Sequence, residues 1–321
     1  MKDSSINVAI VGLGSMGQKH YKVLQSIEDI NIVGLVDSLG FDRALHRVYK
    51  NIEELIEGQK VDCAIIATPT STHTKIAKKL LQNGIHTLIE KPVANNIVEA
   101  TELVQIAEEN NCKVAVGHIE RFNPAVQCLI EDLKGQKILN CNITRVSPYP
   151  KRINDVGVKL DLAIHDIDLI KFITNQNIVD IVSSCTSTKT AQEDTASFFL
   201  NLSGGSTGMI FTSWLIPFKE RTIKLLTENS YYTINLINQQ VLKYTCCGDK
   251  KFNKSLLFVE AGNALEKELK AFIKYVKIGE PGDLASLSDG IVALSLIRPA
   301  PGNRSCSRSC SRSCSRKRKT K

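Results

Sequence analysis

Residues 6–17, Ile6-Asn7-Val8-Ala9-Ile10-Val11-Gly12-Leu13-Gly14-Ser15-Met16-Gly17, decide the fold. Five of the first six are apolar and mostly β-branched, which is the composition of a strand buried on both faces of a parallel sheet. The run passes directly into Gly12-x-Gly14-x-x-Gly17, and residues 18–25 continue with helical character. Each glycine has its own task. Gly12 permits a tight turn, Gly14 lets the backbone approach a pyrophosphate, and Gly17 lets the helix lie close to the strand. The loop from Gly12 through Leu13, Ser15 and Met16 then aims free N–H groups and the positive helix end at the phosphates. Ordinary glycine-rich turns share this spacing. The strand before it and the helix after it favour a dinucleotide site.

Working outward, residues 31–36 form a second strand that ends on Asp37, 20 residues past Gly17. An acid at that place takes the adenosine ribose hydroxyls. Its charge repels a 2′-phosphate, and Ser38 and Leu39 bring no cation, so NAD is favoured over NADP. A surface Asp ending a strand fits the same residue. Residues 46–49 read as a short strand, and Asn51 caps a helix over 52–58. The strand over 61–67 ends in Thr68-Pro69-Thr70-Ser71-Thr72-His73, whose hydroxyls are expected to cap a helix over 74–83. A strand over 85–89 closes on Glu90-Lys91-Pro92; a helix over 96–111 and a strand over 113–117 follow. This alternation predicts an α/β domain, a doubly wound parallel sheet, over residues 1–118.

The pattern then changes. Helices are predicted over 122–133, 160–174, 260–277 and 286–296. A strand is predicted over 138–146 and a succession of strands over 179–244, with Gly204-Gly205 as a hairpin turn. Successive strands with short turns make a mostly antiparallel sheet, hence a second, α+β domain over 119–298. Residues 299–321 carry a Ser-Arg-Ser-Cys repeat that cannot bury a core and are expected to be a disordered basic tail. Three readings of it stand: a solvated tail, an RNA- or metal-binding arm, and an altered reading frame near the C-terminus.

The formal charge is +8, but residues 304–321 hold eight Lys and Arg and no acid. Without those eight, the 41 basic residues fall to 33, against 33 acidic ones. The folded body is formally neutral and gives no ground for a nucleic-acid-binding surface. The ten cysteines show no zinc spacing, so no metal site is expected, and the scattered ones are expected to be reduced. No apolar run is long enough to span a membrane. The first strand starts too early for a signal peptide, which makes a cytoplasmic protein the expectation.

Two stretches carry groups suited to proton transfer. Lys91 follows a strand at the sheet edge where ligands of open α/β sheets bind, and Pro92 constrains its backbone. A solvated surface lysine is the competing reading. In Asp161-Leu162-Ala163-Ile164-His165-Asp166-Ile167-Asp168, helical spacing puts Asp161 and His165 on one face. A His oriented by a carboxylate is a usable proton acceptor at neutral pH. Alternatively Asp161 serves the helix dipole and His165 belongs to the core. Taken with the nucleotide motif, these stretches predict hydride transfer. His165 removes a hydroxyl proton and Lys91 stabilises the alkoxide. A non-catalytic dinucleotide sensor is the alternative from another class.

VGLGSMG (11–17), ATPTSTH (67–73), EKP (90–92) and the Asp161/His165 pair followed by Asp166-Ile167-Asp168 resemble the Gfo/Idh/MocA family of oxidoreductases. The resemblance runs from about residue 7 to 296. It implies an N-terminal Rossmann domain, a C-terminal domain with an open sheet, and homo-oligomers, dimer or tetramer. It further implies NAD contacts from Thr68, Pro69, Thr70, His73, Glu90 and Lys91, and catalysis by Lys91, Asp161 and His165. Which of Lys91 and His165 is the main acid/base differs among members. Residues 117–124, GHIERFNP, are similar to the UDP-N-acetylglucosamine 3-dehydrogenase branch, which oxidises a sugar 3-hydroxyl for a later aminotransferase. That likeness implies a sugar-nucleotide substrate lined by His118, Glu120, Arg121 and Asn123. A structural hinge between domains is the other reading of the same stretch. Another sugar or inositol dehydrogenase is the alternative within the family.

Overall fold

A computed structural model describes residues 5–41, 45–150, 156–189, 192–248 and 251–297. The tail expected over 299–321 lies outside the described residues. The first part of the chain alternates strand and helix: β1 (Ile6–Val11), α1 (Ser15–Leu24), β2 (Ile30–Val36), β3 (Val48–Tyr49), α2 (Ile52–Gly58), β4 (Cys63–Ile66), α3 (Thr70–Gln82), β5 (His86–Glu90), α4 (Ile97–Glu109) and β6 (Val114–Gly117). The six strands form one parallel sheet in the order β3-β2-β1-β4-β5-β6. The order reverses between β1 and β4, so the turns after β1, β4 and β5 open on one crevice. β4 is buried along its whole length, as its unbroken apolar run requires.

Asn51 and Asn96 cap α2 and α4, each side chain accepting the N–H three residues on, from Glu54 and Glu99. The capping expected from residues 68–72 is different. α3 begins at Thr70 directly after Pro69 and has no side-chain cap. Thr72 Oγ1 instead turns back to the Pro69 carbonyl and the Thr68 hydroxyl, each at 2.8 Å. α1 likewise begins at Ser15, because Gly17 lies inside its first turn.

Beyond β6 a 3-10 turn (Ile119–Phe122) leads to α5 (Pro124–Asp132) and β7 (Ile138–Pro148), then a π-helical turn (Lys159–Ala163) runs into α6 (Ile164–Thr174). Seven strands follow: β8 (Ile178–Thr186), β9 (Thr195–Leu202), β10 (Thr207–Ser213), β11 (Leu215–Thr227), β12 (Ser230–Asn235), β13 (Gln240–Cys246) and β14 (Phe252–Leu257). With β7 they make an eight-stranded sheet, β14-β13-β12-β11-β7-β10-β9-β8, antiparallel except where β7 meets β10. Gly205, at φ +81°, makes the β9–β10 hairpin turn that the sequence predicts. β14 escapes sequence reading because FNKSLL is an edge strand exposed almost throughout.

One face of this sheet packs on α5 and α6, where Phe198, Leu200, Ile210, Ile143 and Ile223 are buried. The chain finishes with α7 (Ala264–Ile278) and α8 (Leu287–Ile297). α7 returns to the parallel sheet, and Leu269 and Phe272 join a core with Val8, Ile10, Tyr21 and Leu24. α8 packs on α4 and α6 and so ties the two sheets together.

Candidate active site

The glycine loop has the shape a pyrophosphate needs. Gly12 sits at φ +91°, and a Cβ there would lie 2.7 Å from the Thr68 methyl. A Cβ on Gly17 would fall 1.8 Å from the Gly12 carbonyl oxygen, so α1 can approach β1 only without one. At Gly14 an added Cβ meets nothing within 4 Å among the described residues, which leaves room for a ligand. Gly14 caps α1 without a side-chain hydrogen bond, so the first-turn amides are not taken up by a side-chain cap. Asp37 lies at the end of β2, where its carboxylate accepts from Leu13 N (2.7 Å) and Leu39 N (2.9 Å). With Gly14, Thr68 and Pro69 it lines a groove of 610 Å³. These residues fit a dinucleotide: the start of α1 would hold its phosphates and Asp37 would take its adenosine ribose.

A second cleft of 990 Å³ adjoins that groove, sharing Gly14, Thr68 and Pro69 with it. Its floor brings together Lys91 from the end of β5, Asp161 from the π turn and His165 from α6. Lys91 Nζ donates to the Asp161 carbonyl (2.8 Å) and stands 3.2 Å from its carboxylate. The expected pairing of Asp161 with His165 is replaced by this one: the carboxylate holds Lys91. The π turn sets Asp161 toward β5, and His165 packs edge-to-face on His118, ring centres 6.1 Å apart. Burial drives the His165 pKa well below its ordinary value, and the charges of Lys91, Arg145 and Arg221 push the same way. His165 is therefore a neutral imidazole at pH 7, the form that can accept a proton.

Glu90 lies beside Lys91 and bonds the buried His20 at 2.8 Å. Burial raises its pKa, but the His20 hydrogen bond and the His20 and Lys91 charges outweigh it and hold the carboxylate ionised. His73 is buried between the Thr68 and Pro92 carbonyls, each 2.9 Å from a ring nitrogen. It ties the end of β4 to the loop after β5, and neither it nor Thr70 lines either cavity. The Lys91–Pro92 peptide is cis.

Residues 6–118 match the family model described as "Oxidoreductase family, NAD-binding Rossmann fold", and residues 138–232 match the Gfo/Idh/MocA C-terminal domain. The chain belongs to the Gfo/Idh/MocA family of oxidoreductases. It is thus an NAD-binding oxidoreductase with a Rossmann domain and a second, mostly antiparallel sheet. UDP-N-acetylglucosamine 3-dehydrogenase of Acidithiobacillus ferrooxidans is 27% identical over 289 residues, 86% of this chain and 90% of that one. A crystal structure under that name superposes with a TM-score of 0.83 at 25% identity, covering 91% of this chain and 95% of the other. Myo-inositol 2-dehydrogenase of Thermotoga maritima is 24% identical, covering 91% of this chain and 94% of that one. GenD2 from gentamicin A biosynthesis, solved with NAD, shares the fold with a TM-score of 0.78 at 21% identity, over 92% of each chain.

In this Gfo/Idh/MocA chain, the four residues read from GHIERFNP separate. Glu120 lines the cleft. Arg121 turns away, bidentate to Asp168 at 2.5 and 2.8 Å and stacked over Phe172. The Asn123 side chain accepts from Ala125 N as the cap of α5 and donates to the Leu236 carbonyl at 3.0 Å. His118 is buried behind His165, and its ring nitrogens have no hydrogen bond among the described residues. Sequence reading also missed two arginines. Arg145 Nη1 donates to Glu120 (2.8 Å) and its Nε to Asp166 (2.8 Å), while Arg221 reaches Glu120 at 3.0 Å. Arg145 had a signal: along β7, Cys141, Ile143 and Arg145 alternate on the inward side, so an arginine occupies an apolar phase. Lys19 and Lys22 of α1 border the same cleft.

Proposed function

We propose that this enzyme uses NAD to oxidise the 3-hydroxyl of UDP-N-acetylglucosamine to the 3-ketone, which an aminotransferase then consumes. The observation that carries the reading is the cleft, where a lysine–aspartate pair and a neutral histidine adjoin a dinucleotide groove. The choice of sugar follows the relative from Acidithiobacillus ferrooxidans. NAD, when bound, supplies the hydride acceptor. His165 takes the hydroxyl proton, and Lys91, held by Asp161, stabilises the negative oxygen as it forms. The sugar carbon loses one hydride and its hydroxyl one proton, so the products are ketone, NADH and a proton.

The test is NADH formation from NAD with UDP-N-acetylglucosamine, run beside free N-acetylglucosamine, glucose and myo-inositol. A coupled aminotransferase or an added oxoacid draws off an unfavourable equilibrium. NADH from the nucleotide sugar alone is expected. NADH from inositol or glucose but not from it would install the inositol-dehydrogenase reading that other relatives favour. The same proposal places the enzyme in the cytoplasm. Among the described residues no helix is long and apolar enough to cross a membrane.

The proposal includes a homo-oligomer. On the sheet face opposite α5 and α6, register aligns Val182, Phe199 and Met209 across three adjacent strands, each more than two-fifths exposed. Phe211 and, on neighbouring strands, Leu226 and Tyr231 share that face. An apolar face of this breadth matches a second copy of itself. Sedimentation should give a multiple of the 35.5 kDa chain mass. Phe199→Glu with Met209→Glu should reduce it to one, whereas a monomeric wild type would remove the interface.

A further inference from the structure

The cleft extends beyond the reacting groups along α1, past the first-turn amides that face the cofactor, to Lys19, Lys22, Val23 and Ser26. Its opposite wall there is Asn263 and Leu265, at the start of α7. Lys19 and Lys22 stand i and i+3 on one helix face, so both ammonium groups serve the same space. The cations on the cleft floor are already matched: Lys91 by Asp161, Arg145 by Glu120 and Asp166, and Arg221 by Glu120. Lys19 and Lys22 make no hydrogen bond or ion pair among the described residues. This arm therefore presents two positive charges with no acid to oppose them.

We infer that Lys19 and Lys22 form a diphosphate-binding arm, which makes the enzyme select a nucleoside-diphosphate sugar over a free sugar. The inference rests on the proposed function and names the group within the substrate that the site grips. The diphosphate diester of such a substrate carries two negative charges, equal in number to the unmatched lysines. A neutral polyol carries none and would leave both idle. Val23 and Leu265 offer apolar surface for the nucleoside beyond the phosphates; the Ser26 hydroxyl already donates to the Val23 carbonyl and the Asn263 side chain caps α7. The arm lies further along α1 than the amides at Ser15 and Met16, about one to two turns on, so the cofactor's own phosphates do not need it.

The experiment is calorimetric titration of UDP into the NADH-saturated full chain, wild type and Lys19→Ala/Lys22→Ala. Residues 304–321 are common to both proteins, so any binding to that basic stretch cancels. Both lysines are exposed on α1, and thermal melting will show that the variant folds. A loss of about tenfold per lysine in UDP affinity is expected. Binding of UDP to the wild type should weaken steeply with salt, while the NADH dissociation constant changes less than twofold. No UDP binding by the wild type, equal binding by both proteins, or a parallel loss of NADH affinity would each overturn the arm. Turnover separates the two proposals. Lysine-dependent UDP binding without oxidation of UDP-N-acetylglucosamine keeps the arm and removes the proposed reaction. Oxidation with an unchanged KM in the double variant keeps the reaction and removes the arm.

Discussion

Lys91→Met is expected to cut kcat by about a thousandfold, the size of a positioned acid–base group, and to leave NADH binding within about twofold. Methionine keeps the length and most of the packing of lysine but brings no charge. Among the described residues Nζ bonds only Asp161, through its carbonyl and carboxylate, and the Asp161 side chain is 21% exposed. Water can therefore reach the abandoned carboxylate, and the fold should survive. Lys91 is not among the described residues that line the dinucleotide groove, so the groove should keep its shape. His165→Ala should lose a similar factor. If the two groups serve one proton transfer, the double variant should be little worse than the more damaged single one. The pH profile carries the same logic. The His165 pKa is held below the ordinary 6.5, so under the proposed mechanism the acid limb of kcat/KM should lie below pH 6.5. Near-wild-type turnover in both single variants, with whichever substrate the assay returns, would leave a dinucleotide-binding scaffold whose chemistry lies elsewhere.

What the sequence showed of this site follows from which interactions are local. The Gly12–Gly17 loop is legible because its constraint lies within one turn: Gly17 needs no Cβ for reasons set by Gly12, five residues earlier. Asn51 is legible for the same reason, as it accepts an N–H three residues on, whereas Asn96, read as the first residue of its helix, turns out to be its cap. Lys91 and Asp161 are each visible in their motifs, but their pairing crosses 70 residues and two sheets. The helical spacing of Asp161 and His165 was sound as far as it went. It assumed a regular α-helix, and the π turn at 159–163 redirects the carboxylate to β5. Arg121 and Asn123 are expected as ligands only through the likeness of GHIERFNP to one branch of the family. Their partners, Asp168 and the Leu236 carbonyl, lie 47 and 113 residues away, and only the closed fold shows that they are already engaged. Arg221 is placed in the cleft by the pairing of β7 with β11, which no local pattern encodes.

Arg145→Leu tests that long-range network most severely. The guanidinium is 2% exposed and holds two carboxylates from different elements, Glu120 of the 3-10 turn and Asp166 of α6. Removing one side of a buried ion pair costs about 3–5 kcal/mol because the other charge stays buried without it. Here Glu120 retains Arg221, so the burden falls on Asp166, which is wholly buried. Burial pushes the Asp166 pKa up to about 6 even with Arg145 opposing the shift. Without Arg145 it must rise further. A carboxyl whose native pKa exceeds its unfolded value contributes stability that is complete below the unfolded pKa and is lost as pH rises through the native one. The loss in Arg145→Leu should therefore be small near pH 5 and largest near about pH 8, read from urea midpoints by circular dichroism. Adding Asp166→Asn to Arg145→Leu removes the titrating carboxyl and should flatten that dependence. An equal loss at both pH values would show that the cost is packing rather than charge. Activity should fall along with stability, since His165 directly precedes Asp166 on α6 and Arg145 fixes that end of the helix against β7. In that case the arginine that the sequence left unread is a positioning residue for the proton acceptor.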